Sequence, residues 1–150
     1  MSIKKAVFYL DDEEYGMDIA DINIIEKNLK IEKVVNSPKN IKGKADIRGV
    51  KIPVYSLRSK FGIEDKQPDV NTRYLIVDVD GRKIAYEVDN VKGIVDIEPV
   101  HTYDVPYIVK ADKTSYLDSI AYNEGGLVLI LDSKLLIDND EMKFIKDKIK

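Results

Sequence analysis

Cysteine and tryptophan are both missing from the 150 residues, and histidine occurs once, at His101. Without cysteine there are no disulfides, no thiolate nucleophile and no thiolate metal ligand. Long apolar runs are missing too: none approaches the ~20 residues of a membrane-spanning helix. The opening "MSIKKAVFYLDDEEYG" has only a short apolar run before four acids. A secretory signal has a longer one and a small-residue cleavage site, so the reading is a cytoplasmic protein. Neither charge sign dominates: 24 basic and 27 acidic residues, interspersed, leave a net charge of −3. That balance offers no basic field for nucleic acid or anionic lipid. With 44% hydrophobic residues, the chain can bury one compact core, or two small ones that share a boundary.

What is present is mostly short β-type pattern. "KAVFYL" (5–10) and "EYGMDI" (14–19) read as two strands across an acidic turn. Ile22, Ile25 and Leu29 then recur at helical spacing behind Asp21, which predicts a helix with Asp21 as its N-cap. "KIEKVV" (30–35) reads as a strand, and "NSPKNIKGK" as a short helical turn. A hairpin from Ala45 to Tyr55 and one helical turn from Ser56 to Phe61 follow. Residues 62–72, with Pro68 and no apolar period, form the best linker candidate. At the far end, Met142, Ile145 and Ile149 mark an amphipathic helix able to lie across a barrel.

The pattern repeats. Residues 74–94 lie on residues 5–25 with a constant offset of 69 and no gap. Phe8 falls on Val77, Leu10 on Val79, Tyr15 on Ile84, Ile19 on Val88, Ile22 on Val91 and Ile25 on Ile94. "VYSLRSKFGI" (54–63) lies on "VLILDSKLLI" (128–137) at offset 74, pairing Leu57 with Leu131 and Ser59 with Ser133. Two matches in the same order imply two similar β units, each small for independent stability, packed together. Short strands with tight turns such as Asp80-Gly81 favour small closed barrels.

Candidate chemistry is sparse. His101 lacks convergent partners in its neighbourhood and reads as surface or structural. Asp11, Asp12, Glu13 and Glu14 lack the alternating ligands of a calcium loop. The second unit places Asp80, Gly81, Arg82 and Lys83 there, so a solvated turn is the better reading. Gly81 closes a hairpin turn, and "EGG" at Glu124 to Gly126 lacks a phosphate-loop lysine. No serine sits in a nucleophile elbow, so no enzyme, cofactor or metal is expected. Arg48, beside Gly49 in "ADIRGV", reads as a strand residue with two uses. It either pairs with a nearby carboxylate or carbonyl, or offers its planar fork to another chain. Gly49 supplies the positive φ or close approach that the hairpin needs.

Three stretches together, "AVFYLDDEEYGMDI", "IKGKADIRGVKIPVYSLRSKFG" and "IAYEVDNVKGI", resemble the CheW family of chemotaxis coupling proteins. The resemblance runs from about Lys5 to Ile137 with its motifs in order. It implies a mainly β fold: one domain over 1–150, made of two SH3-like five-stranded β-barrel subdomains, roughly 15–66 and 73–137, with short helices and a C-terminal helix. It implies a non-catalytic adaptor that joins the cytoplasmic tip of methyl-accepting chemoreceptors to the regulatory domain of the histidine kinase CheA. The partner surfaces it implies are Ile22 for the kinase, Gly43 and Arg48 near receptor and kinase, and Ala85 and Ile94 along the receptor groove. The chain departs from the family at several places: Asp46-Ile47 replaces asparagine-leucine, Ile24 a common glutamate and Ala85 a common glycine. A second reading in the same fold is a CheW-like segment of a larger coupling protein with a receiver domain, or an accessory coupler of a parallel system. Rivals from other classes are a small ligand-binding or catalytic barrel and a single-strand-binding barrel, the latter disfavoured by acidic charge.

Overall fold

The computed structural model describes residues 3–98, 102–104, 116–123 and 126–149. Two hairpins anchor it. β1 (Ile3–Leu10) pairs antiparallel with β2 (Glu13–Asp18). Residues 22–26 and 41–56 supply β3 (Ile22–Glu26), β4 (Ile41–Ile47) and β5 (Val50–Ser56). Short α1 (Leu57–Lys60) follows, capped by the Ser56 hydroxyl, which accepts the Ser59 N–H at 3.1 Å. The second hairpin is β6 (Arg73–Val79) with β7 (Arg82–Val88). It is joined by Asp80 and Gly81 at φ of 50° and 80°, the mirror-image turn whose twist suits hairpins. At offset 69 both hairpins coincide in register, Leu10↔Glu13 matching Val79↔Arg82.

β8 (Asn90–Ile97), β9 (Thr102–Asp104), β10 (Leu117–Asn123), β11 (Gly126–Leu131) and α2 (Asn139–Lys148) complete the described elements. A reciprocal capping box of Asp138 and Glu141 starts α2. Its Met142, Ile145 and the following Ile149 are buried as expected.

The expected helix after Asp21 is a strand. Asp18, not Asp21, caps a single 3-10 turn at Ile19–Asp21, accepting the Ala20 N–H at 3.0 Å. Ile22, Ile24 and Ile25 then pair with Val77, Ile76 and Leu75 on β6. Three β-branched residues favour extended backbone, and the pairing decides it. The expected strand at 30–35 reduces to one bridge, Glu32 with Lys44. The turn before β4 is closed by the Ile41 N–H donating to Pro38 O at 3.0 Å and forms no helix.

Strand order is β8-β1-β2-β11-β10-β9 in a six-stranded sheet and β3-β6-β7-β5-β4 in a five-stranded one. The first exceeds the expected five because β9 adds to the edge of β10. These sheets do not divide along 15–66 and 73–137. The units exchange hairpins: β1-β2 sits between β8 and β11, while the equivalent β6-β7 sits between β3 and β5. Parallel pairings of β11 with β2 and of β5 with β7 lock the exchange.

The central strands of each sheet bury both faces, while the edge strand β8 leaves one face open. A small core of Ala45, Ile52, Val54, Tyr74, Ile76 and Ala85 fills the five-stranded side. Val7, Ile97, Ala121, Val128 and Ile130 fill the other. The largest cluster joins both sheets and α2 through residues such as Phe8, Met17, Tyr55, Leu75, Tyr86, Leu131 and Ile145. The result is two SH3-like subdomains clasped by a common core. Double-sided burial explains near-continuous apolar strands such as "YLIV".

Three tyrosines carry hydroxyls into this interior. Tyr55 donates to Glu141 at 2.8 Å, Tyr74 to Glu87 at 3.0 Å and Tyr86 to the Ser133 carbonyl. Burial first, and nearby carboxylates second, push all three phenols up from their ordinary value of 10.0. A folded-state pKa above the unfolded one means stability present below about pH 10 and lost as pH rises past it. In an alkaline titration, the share of tyrosinate absorbance due to these three of the nine tyrosines is therefore expected to appear only together with loss of far-UV circular dichroism. Ionisation of these tyrosines while the fold persists would contradict the burial argument.

Candidate partner-binding surfaces

The hairpin β4–β5 places Arg48. It is not a strand residue but the first of two turn residues, with φ of 54°, followed by Gly49 at 83°. The carboxylate two residues before it is engaged elsewhere: Asp46 accepts the Gly49 N–H at 2.9 Å and faces Lys51 at 3.6 Å. Arg48 is exposed and forms no ion pair among the described residues. Its side chain borders a groove of about 330 Å³. Ile24, Ile47, Ile52 and Ile76 give the groove apolar walls, and Asn23, Val50 and Lys83 complete its rim. Lys83 is steadied by Asp78 and Asn23, each at 3.3 Å. Val50, half exposed, also borders a second depression with Lys51 and Arg82.

Ile94 is the other expected contact found at the surface, 50% exposed on β8 opposite Ala6. Ile22 is half-buried, packed on the shared core and paired with Val77. Gly43 and Ala85 are interior. Ala85 is fully buried beside Val54 in the core of the five-stranded sheet. Gly43 sits beneath the Glu32 bridge, where an added Cβ would lie 2.2 Å from the Glu32 carbonyl oxygen. Both positions are sealed inside a subdomain, where they shape the strands around them rather than offering a surface for contact. The five positions do not form one site: Arg48 lies on one sheet and Ile94 on the other. Gly49 and Gly81 hold the turns expected of them. His101 and Glu124 to Gly126 fall wholly or partly outside the described residues. Among the described residues, no three acids or histidines gather to hold a metal ion, and no helix is long and apolar enough to cross a membrane.

One residue quoted within the motif received no role from the sequence, and the structure gives it one. Arg58, 8% exposed on α1, donates to Asp11, to Asp89 and, through Nε, to the Glu64 carbonyl at 2.7 Å. Asp89 also accepts the Asp11 N–H at 2.7 Å. The guanidinium thus fastens the β1–β2 turn, the β7–β8 junction and the start of the linker. Burial opposes its charge, but the hydrogen bonds and charges of Asp11 and Asp89 outweigh it and hold its pKa above the ordinary value. Phe8, Tyr15, Phe61 and Tyr116 stack in succession beside it, with centroids 5.4–5.8 Å apart. The clue in the sequence was an arginine inside an apolar run, "LRSKF", with acids at the β1–β2 turn and just after β7.

Known proteins agree with this architecture. The chain is 26% identical over 144 residues to the chemotaxis protein CheW of Klebsiella aerogenes, covering 96% of this chain and 87% of that one. It is 28% identical over 133 residues to the chemotaxis protein CheW of Helicobacter pylori, covering 89% and 80%. The crystal structure of the scaffolding protein TtCheW from Thermoanaerobacter tengcongensis superposes with a TM-score of 0.85 at 30% identity, over 94% of this chain and 96% of that one. The CheW-like domain model matches residues 6–141, and the chain belongs to that family.

Proposed function

We propose that the chain is a non-catalytic cytoplasmic adaptor that binds the regulatory domain of the CheA histidine kinase and the tip of methyl-accepting chemoreceptors, coupling receptor state to kinase activity. The observation that carries this reading is the match of the CheW-like domain model to residues 6–141, nearly the whole chain. The fold supports it in kind. Two clasped subdomains present separate surfaces, one around Arg48 and Val50 and one around Ile94, and two surfaces are what a bridge between two partners needs. A stable contact of this kind removes ~800 Å² per partner from water, with apolar anchors inside a polar rim. Val50 and Ile94, each about half exposed, are such anchors.

Titration calorimetry of the full chain against the kinase regulatory domain tests the proposal. Saturable binding at tens of micromolar or tighter is expected, and a folded sample that shows none at that concentration overturns it.

A further inference from the structure

The mixing of charge seen over the whole chain fails locally. From Lys27 to Lys51 there are eight lysines or arginines against two acids, Glu32 and Asp46, in a chain whose net charge is −3. Only Lys42, with Glu87, and Lys51, with Asp46, form ion pairs among the described residues. The rest of the segment keeps its charge for the solvent. Leu29 and Ile31 pack on the small core that includes Ile52 and Ile76. The same two isoleucines line the Arg48 groove, so the unpaired lysines belong to the subdomain that bears it.

Arg48 itself occupies a position the turn does not favour. Both hairpin turns need positive φ at two successive residues, and aspartate or asparagine before glycine suits that best. The β6–β7 hairpin obeys with Asp80-Gly81, while the β4–β5 hairpin carries Arg48-Gly49 at nearly the same angles. Arginine gains nothing for the turn, since Asp46 already supplies the capping hydrogen bond. What it adds is an unpaired guanidinium at the mouth of an apolar groove, with Lys83 on the same rim.

We propose that this groove docks an acidic protein segment: an apolar side chain entering between Ile24, Ile47 and Ile76, flanked by one carboxylate that meets the unpaired Arg48 and one that competes with Asp78, 3.3 Å away, for Lys83. The proposal takes from the adaptor reading only that the partner is a protein. A bilayer is planar and cannot enter a concave groove, whereas an apolar side chain between two carboxylates matches both floor and rim. The surplus of lysines would speed encounter with such a partner and make association salt-sensitive.

The test is a nitrogen-15 NMR titration of the full chain with two capped peptides, Glu-Glu-Leu-Glu-Glu and Lys-Lys-Leu-Lys-Lys. The acidic peptide is expected to move the signals of Ile24, Ile47, Val50 and Lys83, and the basic peptide to leave them in place. Raising salt from 50 to 500 mM should weaken the acidic peptide at least tenfold. Arg48→Gly removes the charge while easing the turn, so it should bind at least tenfold more weakly without losing thermal stability. Equal binding of both peptides, no binding by either, or shifts confined to another face overturns the proposal. Sedimentation with phosphatidylglycerol vesicles that Arg48→Gly abolishes would assign the patch to a membrane and also overturn it. Kinase-domain binding unchanged by Arg48→Gly and by salt would remove the proposal and leave the adaptor reading standing. Acidic-peptide docking without kinase binding would do the reverse.

Discussion

Replacing Arg58 with alanine is expected to lower unfolding stability by about 2–4 kcal/mol, read from the urea midpoint at constant m-value. The loss comes less from the missing attraction than from what is left behind. Asp89, with 13% of its side chain exposed, loses the cation facing it. Asp11 is 60% exposed and can turn to water, which places the effect below that of a fully buried pair. Arg58→Lys should recover only part of the loss, because an ammonium cannot reproduce the planar fork that reaches Asp11, Asp89 and the Glu64 carbonyl together. Asp11→Asn should cost well under half as much as Arg58→Ala. A loss below 1 kcal/mol in Arg58→Ala would show that the aromatic stack and the shared core hold the junction without the clamp.

Gly43→Ala should be comparably damaging, at about 3 kcal/mol. Its φ of 152° is awkward for a side chain, but crowding decides the matter. The new Cβ would meet the Glu32 carbonyl oxygen at 2.2 Å and Ile31 Cγ2 at 3.1 Å. The first neighbour is backbone, held by paired hydrogen bonds of 2.8 Å to Lys44, so it cannot step aside without breaking that bridge. Gly49→Ala is the internal control. Nothing lies within 4 Å of its added Cβ, so only the cost of a positive φ remains, about 1 kcal/mol. Thermal melts of the two variants should differ accordingly, and equal losses would contradict the role given to the Glu32 bridge.

The repeat is the strongest signal legible in the sequence, and it carries more than its apolar positions. The offset of 69 aligns Ile22 to Ile25 with Val91 to Ile94, and both segments are strands. The isoleucine spacing toward Leu29 suggested a helix for one, and pairing with β6 made it a strand like β8. The exchange of hairpins could not be read at all. Either arrangement buries the same alternating faces, and only the parallel joints β5–β7 and β2–β11 distinguish them.

The candidate site shows the same division. "IRGV" between two apolar strands marks a hairpin, but arginine is rare at positive φ, so nothing in the sequence shows that arginine-glycine is the two-residue turn itself. Ile94 and Arg48 reach the surface because β8 leaves one face uncovered and the turn projects outward. Gly43 and Ala85 resembled contact positions by sequence alone, and burial withdraws them from any direct contact.

A single co-sedimentation experiment tests the bridging role most directly. Membranes bearing a chemoreceptor are mixed with the kinase, with and without this chain, and the pelleted kinase is measured. The account predicts that kinase enters the pellet in proportion to added chain and that the chain pellets with it. Kinase recovery that does not depend on the chain, or chain that pellets without bringing kinase down, would contradict it.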